Sequence, residues 1–108
     1  MGARAQVLIE DEKVYLYTHW GADTVFDDVK QAITSPQGKG RADDPEYLAR
    51  IIFEVLVGDE RGTETGFGIG TSKHGDIEKL VTVNCEEQTV TFEDLYSGKK
   101  ETRKFEEL

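Results

Sequence analysis

The run Val14-Tyr15-Leu16-Tyr17-Thr18-His19-Trp20-Gly21 decides how this chain is read. Side chains alternate through it with the period of two that marks a strand. Val14, Leu16 and Thr18 fall on one face, and Tyr15, Tyr17 and His19 on the other. Trp20, the only tryptophan, and Gly21 then hand the chain to a helix. Upstream, Ala5, Val7 and Ile9 repeat the alternation. The charged segment Glu10-Asp11-Glu12-Lys13 between the two runs joins them as a hairpin.

The apolar face of that hairpin needs a cover, and the next forty residues supply it. Asp23 or Thr24 opens a first helix, with Asp27 at capping-box distance from Thr24. Val25, Phe26, Val29, Ala32 and Ile33 form its apolar stripe. Pro36 and Gly38 end it, and residues 37–41 read as a flexible loop. Asp43 or Asp44 caps a second helix, Pro45 takes its first position, and Glu46 complements its dipole. Tyr47, Leu48, Ile51, Ile52, Val55 and Leu56 give this helix a wide inward face, with Ala49 and Phe53 on a neighbouring one. Gly58 stops it.

Beyond Gly62, the run Gly66-Phe67-Gly68-Ile69-Gly70 reads as a strand whose glycines floor a groove or allow close backbone approach. Leu80–Val83 and Thr89–Phe92 form a second hairpin, and a last weak strand spans about Thr102 to Phe105. The expected fold is a single α+β domain over residues 1–108. It is an antiparallel sheet of about five strands in the order β-β-α-α-β-β-β, with two helices packed on one face.

Composition narrows the function classes. At 108 residues with 37% apolar content, the chain can bury a core without disulfides. The single Cys85 lies in a strand-like run and reads as a small buried side chain. A formal charge of −9 argues against direct nucleic-acid binding, which needs a basic stripe. Lys99, Lys100, Arg103 and Lys104 are interleaved with glutamates and read as a solvated strand edge. No apolar run is long enough to span a bilayer, and with no leader-like segment the expected location is cytoplasmic. Asn occurs only at Asn84 while Glu and Lys make up 21 residues, a thermophile-like balance.

The chemistry-bearing residues gather in loops. His19 closes a strand, and His74-Gly75-Asp76 stands in a second loop about fifty residues later. With Glu64 as a fourth donor, His19, His74 and Asp76 would suit a divalent metal, provided that the fold brings them together. A strand-end histidine and a simple turn explain the same residues. Arg4 is placed to reach an acidic loop or an anionic ligand. The glycine run is no phosphate loop, since neither a following helix nor a Gly-Lys-Ser/Thr accompanies it. Arg4, Tyr17, His19, Trp20, Asp43, Asp44 and Phe67 are the candidate binding residues.

Taken in order, several segments resemble a family of small single-domain proteins of unknown function from prokaryotes and their viruses. They are Gly2-Ala3-Arg4-Ala5, Leu16-Tyr17-Thr18-His19-Trp20-Gly21, Asp43-Asp44-Pro45-Glu46-Tyr47-Leu48-Ala49-Arg50, Glu64-Thr65-Gly66-Phe67-Gly68-Ile69 and His74-Gly75-Asp76. The resemblance covers roughly residues 2 to 92. It implies a stand-alone domain and assigns no activity. The residues themselves favour a small ligand-binding or protein-interaction module, acting as a homodimer through Ala49, Phe53 and exposed aromatics. The rivals are a metal-assisted hydrolase or nuclease-like enzyme using His19, His74 and Asp76, and an acidic inhibitor that mimics nucleic acid.

Overall fold

Ala5–Ile9 (β1) and Val14–Thr18 (β2) form the expected antiparallel hairpin, with Val7 opposite Leu16. The structure, a computed structural model, describes residues 3–108; Met1 and Gly2, where the family resemblance begins, lie outside the described residues. The other strands are Phe67–Gly70 (β3), Lys79–Asn84 (β4), Thr89–Asp94 (β5) and Lys100–Lys104 (β6). They join the hairpin in one sheet of order β3-β2-β1-β4-β5-β6.

This corrects the expected sheet in two ways. It has six strands rather than about five, and it is mixed rather than antiparallel: β1 and β4 run parallel, with Val7 beside Val81. The sequence of β1, apolar at four of five positions, suits a strand paired on both sides. A parallel partner cannot be reached by a tight turn, so the whole helical layer and β3 intervene between β1 and β4.

The helical layer also departs from expectation. It has three members: Val25–Thr34 (α1), Pro36–Gly40 (α2) and Pro45–Val57 (α3). At the start of α1 the Thr24 hydroxyl donates to the Asp28 carboxylate at 3.1 Å and caps no backbone N–H, so the box with Asp27 does not form. Burial holds the Asp28 carboxyl above its usual range against the lowering effect of that bond. The segment read as a flexible loop is α2. Ser35 Oγ accepts from Gly38 N at 3.0 Å and donates to Ala32 O at 2.7 Å, and Pro36 falls where a missing N–H costs nothing. A Cβ on Gly38 would lie 1.9 Å from the Ala32 carbonyl oxygen, so only glycine lets α2 fold back against α1. α3 starts as expected, with Asp44 accepting from Tyr47 N at 3.2 Å, and stops at Gly58 in a positive-φ conformation.

The apolar faces of β1, β2, β4 and β5 pack with α1 and α3 into one core centred on Val7, Leu16, Val29, Leu48, Ile52 and Val81. Tyr47 differs from the sequence reading, which set it on the inward face of α3. It is half exposed and faces the Arg41 guanidinium, 4.8 Å from its ring centroid. Ala49 and Phe53 are half-buried and pack partly against the core. Arg50 pairs with Glu54 one turn along α3.

Cys85 is buried as expected. Burial first, then the carboxylates of Asp11, Asp44 and Asp43, push its thiol up to about 12. Among the described residues, no helix is long and apolar enough to cross a membrane.

On the other face of the sheet, Gln6 is only 1% exposed. The loop after β3 folds over it: Gln6 Nε2 donates to Ser72 O at 3.1 Å, and His74 N donates to Gln6 Oε1 at 2.9 Å. One buried amide therefore fixes the loop that carries His74.

Candidate functional site

β2 sets Tyr17 and His19 on the face away from α1 and α3, with Tyr17 Oη 3.0 Å from His19 Nδ1. His74, positioned by Gln6, brings its ring to 4.7 Å from that of Tyr17. On the far side the His19 ring stands edge-on to Trp20 at 5.4 Å, and Trp20 edge-on to Phe67 at 6.2 Å. The result is a ladder of five rings, His74–Tyr17–His19–Trp20–Phe67, in the tilted and edge-to-face contacts that ring quadrupoles favour.

The ladder rests on a glycine. Gly66 has φ +103°, and a Cβ there would lie 2.0 Å from Trp20 Cζ3, so the indole lies directly on the backbone before β3. His19 N donates to Gly66 O at 2.8 Å and carries the β2–β3 pairing one residue past Thr18. The two histidines are thus brought to either side of one tyrosine.

The carboxylates do not follow them. Asp76 is held by Arg4, 3.4 Å from its Nη1, and Glu64 lies exposed in the bend before β3. Among the described residues, no group of three or more His, Cys, Asp or Glu side chains could hold a metal ion. The set His19, His74, Asp76 and Glu64 is therefore corrected from a metal centre to two separate contacts: histidines on Tyr17, and an ion pair at Arg4. Asp43 and Asp44 also leave the expected binding group. They precede α3 beside Ala42, whose carbonyl accepts from Gln88 Nε2 at 2.7 Å after β4. Trp20 lies at the opposite end of the sheet, where Ala5 pairs with Thr18. The five residues of β1 separate the two ends by about 17 Å.

Several acids that a nucleic-acid mimic would display are committed to backbone N–H groups. Asp11 accepts from Cys85 N at 2.8 Å and Glu86 N at 3.0 Å, and Asp44 caps α3.

Beside the ladder lies β3, which among the described residues pairs only with β2. Tyr17 stands opposite Gly68 and Tyr15 opposite Gly70. A Cβ added at Gly68 or Gly70 meets nothing within 4 Å, so these glycines leave open space next to the tyrosines. Because Gly66 O bonds inward to His19, antiparallel alternation also turns the backbone groups of Gly68 and Gly70 inward. Those of Phe67 and Ile69 then point out from the sheet. Ile69 is 65% exposed. On the helix side, a hollow of about 260 Å³ opens beside Phe67, lined also by Phe53, Val57 and Thr65.

A second constellation was not legible in the sequence. Phe26 of α1 and Phe92 of β5 meet edge to face at 5.1 Å. Lys79 Nζ stands 5.0 Å from the Phe26 ring centroid, and Lys30 Nζ 5.3 Å from that of Phe92. The spacing of Phe26 and Lys30, one turn apart, was the only local signal; the rest comes from strand pairing. No family model, curated protein or solved structure matches the chain.

Proposed function

We propose that this protein is an interaction module that accepts an extended strand at the β3 edge, and that a second copy of the chain supplies that strand. The observation that carries the reading is the outward backbone of Phe67 and Ile69 on an edge with no charged side chain. Such an edge is a template for strand addition.

The register follows from the chemistry of the four residues. A two-fold axis perpendicular to the sheet through Gly68 sets Phe67 opposite Ile69 of the other copy, twice. Each such pair exchanges both backbone hydrogen bonds and stacks an aromatic on a β-branched side chain on the helix-side face. The glycines meet on the other face, where the space beside the tyrosines is open. Antiparallel pairing also carries the end bearing Glu64 of each copy toward the end bearing Lys73 of the other, so opposite charges approach. The expected homodimer therefore moves from Ala49 and Phe53 to β3.

A four-residue edge falls short of the roughly 1,200–2,000 Å² of a stable interface, so the dimer belongs to the weak, concentration-dependent class. Sedimentation velocity from about 10 μM to about 1 mM, a span suited to that class, is expected to follow the wild-type chain from monomer toward dimer. Ile69→Lys, folded alike, is expected to stay monomeric. A wild-type chain that is monomeric throughout, or an Ile69→Lys chain that associates equally, would overturn the reading.

A further inference from the structure

Of the 13 lysines and arginines in a chain of net charge −9, four lysines line one cavity. It has a volume of about 350 Å³ and lies between α1 and the β5–β6 end of the sheet. Phe26 and Phe92 form its floor, and Lys30, Lys79, Lys99 and Lys100 its wall. Among the described residues, none of these four ammonium groups has a carboxylate oxygen within 4.0 Å.

Two carboxylates share the cavity; both have partners of their own, and Asp94, opposite Lys79 in the β4–β5 register, also attracts that ammonium without closing an ion pair within 4.0 Å. Glu101 pairs with Arg103 at 3.2 Å. Asp94 Oδ1 accepts from Tyr96 N at 3.0 Å and Ser97 N at 3.1 Å in the β5–β6 turn. Lys30 and Lys79 are held over phenyl rings, which hold an ammonium in place without neutralising it. Unpaired cations converging over an aromatic floor, on an otherwise acidic surface, leave an anion to be supplied from outside.

We propose that this cavity is a binding site for a small organic anion with a flat apolar body, an aryl carboxylate of one or two rings. The body would pack on the half-buried Phe26 and the lysine stems, since Phe92 is only 5% exposed, and the carboxylate would draw Lys30 and Lys79 off the rings, with Lys99 and Lys100 at the mouth. The volume lies at the lower end of the range of small-molecule sites, which suits a ligand of that size. The site is independent of the β3 edge.

The test is a ¹⁵N-HSQC titration of the full chain with 2-naphthoate, beside its neutral amide, 2-naphthamide. Saturable shifts are expected at residues 26–30, 79 and 92–101, with the amide at least tenfold weaker. Lys30→Gln and Lys79→Gln are each expected to weaken 2-naphthoate at least fivefold with unchanged melting temperature, while Lys39→Gln, on α2, leaves it unchanged. Absence of saturable shifts up to millimolar ligand would overturn the proposal. So would equal affinity for the amide, or shifts that map to the ring ladder instead. Should one lysine variant fail to fold, the comparison of acid and amide on the wild-type chain still decides.

Discussion

The two edges of the sheet are built on opposite rules. β6 reads Lys100-Glu101-Thr102-Arg103-Lys104, charged at four of five positions, with Glu101 and Arg103 paired to each other. β3 reads Phe67-Gly68-Ile69-Gly70 and carries no charge. Charged edges repel further strands, whereas flat uncharged ones recruit them. In an acidic domain where carboxylates and lysines cover most turns, an edge left bare on one side only marks the side on which a partner is expected.

The largest effect should come from unseating β3 itself. Gly66→Val places a β-branched side chain at φ +103° and into the Trp20 ring, where even a bare Cβ would approach to 2.0 Å. Backbone strain and displaced indole together should destabilise the domain by about 3 kcal/mol, read as a lowered denaturation midpoint. Amide exchange should quicken first in β3 while β6 keeps its protection.

Next in size is exchange of the two edge chemistries. Ile69→Lys gives β3 the guard that β6 has and should weaken self-association at least tenfold, about 1.4 kcal/mol. The converse pair, Arg103→Val with Lys104→Thr, removes two of the four charges that guard β6. Sedimentation of that variant should reveal species larger than dimers, because each copy then offers two edges.

The smallest effect concerns pH. Backbone N–H bonds from Ser97 and Tyr96 hold the Asp94 carboxyl below its ordinary value of 3.8. A depressed folded pKa stabilises above the unfolded value and is lost as pH falls through the folded one. Below about pH 3.8 the β5–β6 turn should loosen before β3 does, seen as faster exchange of β6 amides, and Asp94→Asn should remove that dependence.

What the sequence made legible was what is encoded locally. The alternation Val14-Leu16-Thr18 placed β2 and its faces, and Asp44-Pro45 with Gly58 bounded α3. His19 and Tyr17 fell on one face by simple periodicity, and they touch. What escaped was non-local. Nothing near Val7 announces Val81 as its parallel neighbour, since β2, the helical layer and β3 all lie between them in the chain. Two glycines and a proline argued against α2, yet the Ser35 cap and the close approach at Gly38 make it a helix. Asp76 and His74 stand two residues apart, and only the fold sends one to Arg4 and the other to Tyr17. The lysine-walled cavity draws on residues from α1 to β6 and has no signature along the chain.

The pairing at Gly68 is tested most directly by an isotope-filtered NOE experiment on an equal mixture of ¹³C-labelled and unlabelled chains at millimolar concentration. The expected result is an intermolecular cross-peak between the Phe67 ring and the Ile69 methyl groups, lost in Ile69→Lys. A dimer whose intermolecular contacts lie elsewhere, or a mixture with no intermolecular contacts at all, would contradict strand addition at β3.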